Sequence, residues 1–160
     1  MNRLMMAGAL AAIPLTAAVA QAPNASTYVM KAGASDQYEV QSSKLVLQTT
    51  QNQKIRDFAN MMVSDHTKST ADVKTAATNA GMTVAPPRLD AMGLRDVAAL
   101  RVARGSLRDT LYVRQQKAAH QRAYDLHKGY SMTGTVAPLK ATAAAIAPVV
   151  QSHMTELAAM

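Results

Sequence analysis

Gly81-Met82-Thr83-Val84-Ala85-Pro86-Pro87-Arg88-Leu89-Asp90 is the stretch that decides the fold. Gly81 offers the positive φ that closes a helix. Pro86-Pro87 pushes the preceding residues out of the α region, so the segment runs extended. On either side the hydrophobic period is helical. Upstream, Ile55, Phe58, Ala59, Met62, His66, Val73 and Ala76 share one stripe of a helix from about Asn52 to Ala80. Thr49-Thr50-Gln51-Asn52 is a polar turn. Before it, a helix from about Thr27 to Thr50 carries Tyr28, Val29, Ala32, Asp36, Glu39, Val40, Ser43 and Leu47 on its stripe, with Asn24 and Ser26 as capping residues.

Downstream of the prolines, a short helix from Asp90 to about Arg104 stops at Gly105-Ser106. Ser106 and Asp109 resemble a capping box, opening a helix from about Leu107 to Tyr130. Its stripe holds Asp109, Tyr112, Val113, Gln116, His120, Ala123 and His127. Ser131 to Thr135 is a turn. The last helix starts near Pro138 and reaches about Ala159, with Pro148 expected to kink it. Four long helices joined short–long–short predict an all-α, ferritin-like four-helix bundle whose crossover contains a short extra helix.

The 160 residues suit one domain. A hydrophobic fraction of 49% excludes wholesale disorder. The absence of Cys excludes disulfides, thiolate zinc sites, iron–sulfur clusters and a lipidated cysteine anchor. Residues 1–20 read as a secretory signal peptide. Arg3 supplies the positive start, Leu4 to Ala20 is uncharged, and Ala18-Val19-Ala20 is a small-residue cleavage site. The competing reading, a membrane anchor, is weakened by Pro14 and by a length of about 17 residues. The mature domain is then 21–160, in the periplasm, with outer-membrane association left open. No later segment reaches spanning length. A net charge of +7 allows contact with an anionic envelope surface or a protein partner. Arg101, Arg104 and Arg108 fall at helical spacing and would form a basic, solvated stripe. Nucleic acid is disfavoured by export, few aromatics and the lack of a binding module.

Each long stripe is interrupted by one residue foreign to an apolar seam: Glu39, His66, His120 and His153. Counted from the turns at about 1.5 Å per residue, paired positions differ in height by only ~4.5 and ~7.5 Å. All four therefore fall near mid-bundle. Imidazole and carboxylate are ligands that Zn, Fe, Mn, Ni and Cu accept. Three His and one Glu suit one divalent ion, and that ion would supply the charge a buried Glu needs. The other reading is a buried hydrogen-bonded layer that satisfies itself without metal.

The chain resembles the secreted bacterial ferritin-like family known as domain of unknown function 4142, often labelled an outer-membrane protein. The resemblance lies in Tyr38-Glu39-Val40, Phe58-Ala59 with Val63-Ser64-Asp65-His66, Gly105 to Val113 leading to His120, and Ala147 to His153. It implies a ferritin-like bundle and export, and no established activity. Arg108 and Ala147 depart from the usual Phe and Leu, which concerns local packing. A carboxylate-bridged di-iron site is unlike this chain, because Val63 and Val150 stand where Glu-x-x-His would need Glu.

No nucleophile–base pair or phosphate-binding loop is present. No catalytic residue is assigned, and a mononuclear-metal oxidoreductase is the remaining enzyme reading. Asp65 lies about 100° round the helix from His66 and should meet solvent or a neighbouring helix. His127, about 10.5 Å along the helix from His120, cannot share its ion and reads as peripheral. Tyr112 and Met62 read as core.

Overall fold

The computed structural model describes residues 23–160, so the expected signal peptide lies outside the described residues. Among these the chain is five helices and no strand: α1 (Ala25–Leu47), α2 (Gln53–Asn79), α3 (Ala91–Val102), α4 (Gly105–Thr133) and α5 (Ala137–Ala158). No described helix is long and apolar enough to cross a membrane.

Local chemistry sets the ends. Asn24 accepts the Thr27 amide at 2.9 Å, Asn52 those of Lys54 and Ile55, and Asp90 that of Gly93 at 2.7 Å. Gly81 sits at φ +75 after α2, and the Met82 amide reaches back to the Ala77 carbonyl. Together with Gly81 N–H on the Thr78 carbonyl, this closes a Schellman motif.

Three local expectations are corrected. α1 stops at Leu47, where the Gln48 amide turns back to the Leu45 carbonyl and those of Thr49 and Thr50 to Val46, and Thr50 beyond the end donates its hydroxyl to Asp109 at 2.9 Å. α4 begins at Gly105, with Arg104 in the capping position and no side-chain cap, so Ser106 and Asp109 form no capping box. Arg108 is buried, not on a solvated stripe. Its guanidinium donates to the carbonyls of Leu45, Arg101 and Ala103 and to Thr49 Oγ1. An aromatic ring there could not donate to these helix-end carbonyls or to Thr49, whereas the guanidinium fork reaches all four acceptors from one buried position.

The helices pack as two intimate pairs, α1 on α2 and α4 on α5, with α1 also on α4 and α2 on α5. α3 lies mainly across α1. The interior divides into two apolar clusters. One gathers Tyr28, Ala77, Tyr130, Leu139 and Val150. The other gathers Val46, Phe58, Met62, Leu100, Tyr112 and Leu157. Along α2, α4 and α5, the three conspicuous histidines fall in the interval between these clusters.

Candidate metal centre

His66 of α2, His120 of α4 and His153 of α5 are each buried. Their ring centroids lie 5.4 to 5.7 Å apart. One nitrogen from each ring falls within 4.8 Å of the other two. Four-coordinate zinc with Zn–N near 2.05 Å would hold its nitrogens roughly 3.4 Å apart, so each nitrogen need move in by about 0.8 Å at most. Phe58 packs on the rings of His120 and His153, at 6.0 and 6.4 Å, and keeps the layer dry on that side.

The outer edges of the rings fix the state of the inner ones. His66 Nδ1 meets Asp36 Oδ1 at 2.8 Å, and Asp36 Oδ2 also accepts from Thr70 at 3.1 Å. His120 Nδ1 meets the Gln116 carbonyl at 3.0 Å. His153 Nε2 meets Asp65 Oδ2 at 3.0 Å. Carboxylates and carbonyls only accept, so each outer nitrogen carries the proton. His66 Nε2, His120 Nε2 and His153 Nδ1 therefore face inward, and none has a protein partner. Metal-bound histidines show this pattern, with the far N–H held by a carboxylate or backbone carbonyl.

Glu39 of α1 is fully buried, and neither carboxylate oxygen has a partner. Its Oε1 lies 3.7 Å from His120 Nδ1, the outward nitrogen of that ring. Glu39 thus approaches from behind His120, while the mutually close nitrogens belong to the three histidines.

Burial pushes Glu39 up to about 7, against the pull of His66 and the Gln116 amide. Burial pulls His120 down to about 3, helped by His66 and His153, and lowers His153 as well. Both are neutral donors at physiological pH. His66 feels the same burial, but its bond to Asp36 and the charges of Asp36 and Glu39 outweigh it and favour the charged form. A divalent ion would replace that proton and relieve Glu39 at the same time.

A family model matches residues 11–160. The chain belongs to the family described as Domain of unknown function (DUF4142). No curated protein and no solved structure matches it.

The sequence singled out all three histidines, and the structure brings them together. Asp36 was visible only as a polar residue on the α1 stripe, and its bond to His66 was missed. The available signal was its position three residues before Glu39, on the same face of α1. Asp65 does meet a neighbouring helix, through His153. His127 is corrected from peripheral to buried: its Nδ1 is hydrogen-bonded to the Tyr28 hydroxyl at 3.0 Å, well away from the three-histidine group. Tyr112 belongs to the core and pairs with Ser43 Oγ at 2.8 Å. Met62 is core filling beside Phe58.

Proposed function

We propose that this chain is an exported, periplasmic metal-binding protein with a ferritin-like four-helix arrangement and a crossover helix. It holds one divalent transition ion (Zn, Fe, Mn, Ni or Cu) through His66, His120 and His153, and Glu39, expected from the sequence as a fourth ligand, supplies a balancing negative charge from behind His120. Its role lies in metal handling or envelope stress, with no catalytic residue assigned.

One observation carries this reading. Three imidazole nitrogens and both oxygens of a carboxylate are buried without partners in one layer. All five are electron-pair donors. A self-satisfying hydrogen-bonded layer would pair donors with acceptors, because each orphaned buried group costs roughly 1–3 kcal/mol. A proton on His66 answers for one of them. A cation answers for the three nitrogens, and its charge offsets the buried Glu39 carboxylate nearby.

The second reading is a metal-free protein that contacts an anionic envelope surface or a protein partner. It draws on exposed Val102 and Leu107 beside Arg101 and Arg104 at the α3–α4 corner.

Elemental analysis separates the two. The untagged chain from residue 21, purified without chelator, should hold about one ion. That ion should vanish in a His66/His120/His153 triple alanine variant, and a chelator should lower the wild-type melting temperature. No ion, no uptake of any of the five metals and melts indifferent to chelator would refute the metal reading.

A further inference from the structure

The three histidine side chains are sealed, at 4%, 0% and 3% exposure. An ion from water cannot reach their inner nitrogens unless one ring moves. The three outer partners are not equally able to let go. His120 is held by a carbonyl of its own helix, one turn back. His66 is held by Asp36, whose side chain is 2% exposed and is also engaged by Thr70. His153 is held by Asp65, whose side chain is 36% exposed.

His153 also differs in its ring. His66 and His120 turn Nε2 inward and Nδ1 outward, whereas His153 turns Nδ1 inward and Nε2 outward. The tip of this one imidazole therefore points to the carboxylate that touches water. Glu156 lies three residues beyond His153 on α5, exposed, and its charge acts on the His153 ring. Among the described residues neither Asp65 nor Glu156 pairs with Lys or Arg, and Lys68, one turn past Asp65, is engaged by Asp72. In a chain with 17 basic and 10 acidic residues, two carboxylates without a Lys or Arg partner stand outside His153, the one ligand whose outer partner touches water.

We propose that Asp65 and Glu156 form the port by which the ion enters and leaves, and that His153 is the ligand that swings to admit it. The proposal rests on the metal reading. The carboxylates attract the cation and strip part of its hydration. An Asp65 oxygen that takes the ion releases the His153 N–H, and the freed ring turns to pass the ion to His66 and His120. The port speeds both directions without being part of the final donor set.

Co²⁺ is the probe, because its visible bands report coordination. Metal-free wild type, E156K, D65N/E156Q, D36N and D125N chains, each checked for helicity, are mixed with Co²⁺ in stopped flow, and release is then driven by chelator. Charge-guided entry predicts about tenfold slower uptake in E156K and D65N/E156Q, with release slowed alongside and Kd changed less than about threefold. D36N should bind more weakly through faster release, with uptake unchanged, and D125N, at an exposed α4 carboxylate that accepts from Gln121, should match wild type. Uptake unaltered in both port variants, or slowed equally by D36N or D125N, overturns the port while the site stands. A wild-type chain that takes up neither Co²⁺ nor any other divalent ion overturns site and port together.

Discussion

His127 gives a sharp test of the core that does not involve the metal. Burial lowers it from 6.5 to about 4, the nearby Asp36 charge only partly compensating. The unfolded chain binds this proton once the pH drops below about 6.5, while the native chain resists until about 4. The stability contributed is therefore present above pH 6.5 and lost as the pH falls from 6.5 to 4. At about 1.4 kcal/mol per unit, the loss is about 3 kcal/mol. His127→Gln keeps an acceptor for the Tyr28 hydroxyl and removes the titration. Urea unfolding of both chains in chelator, at about pH 7 and about pH 4.5, isolates the effect. His120 and Glu39, which shift stability in opposite senses, titrate in both chains and cancel in the comparison. Wild type should lose about 2–3 kcal/mol more than H127Q on acidification. Equal losses would refute the claim that this imidazole is held neutral by burial.

Three further outcomes are expected. Arg108→Lys should cost about 2 kcal/mol in urea unfolding, because one ammonium cannot serve the four acceptors the guanidinium reaches; a cost under about 0.5 kcal/mol would contradict it. Gly81→Ala should cost about 1 kcal/mol through backbone strain alone, since nothing lies within 4 Å of an added methyl; Asn there should cost less, and equal costs would point to another cause. Phe58→Ala should cost about 3–5 kcal/mol and weaken Co²⁺ binding, because the ring fixes both His120 and His153; binding at wild-type strength would show that those rings hold their positions unaided.

Much of this was legible in the chain. The helical stripes, the glycine at residue 81 and the double proline gave the number and order of the helices, since each acts within a few residues of itself. The three histidines were legible because a lone imidazole in an apolar stripe breaks a pattern. Their outer partners were not. Asp65 points a quarter-turn away from His66, and only the packing of α2 on α5 shows that His153 waits there. Arg108 read as solvated because its spacing matched Arg101 and Arg104. Its burial follows from helix-end carbonyls of α1 and α3 meeting at one corner, which no local period encodes. Glu39 is the intermediate case. Its height was readable from the turns, but its place behind His120 depends on how α1 is rotated against α4.

The stacked rings of Tyr28 and Tyr130, 3.9 Å apart and 13° from parallel, have an optical consequence. With no Trp in the chain, its near-ultraviolet spectrum belongs to five tyrosines and one phenylalanine. The Tyr28–Tyr130 pair is strongly coupled and lies in one apolar cluster, while Tyr112 is isolated from it in the other. Each half of the molecule thus carries its own chromophore. A near-ultraviolet circular dichroism melt of Tyr28→Phe beside Tyr112→Phe would show whether the two halves come apart together or in turn, without any attached dye.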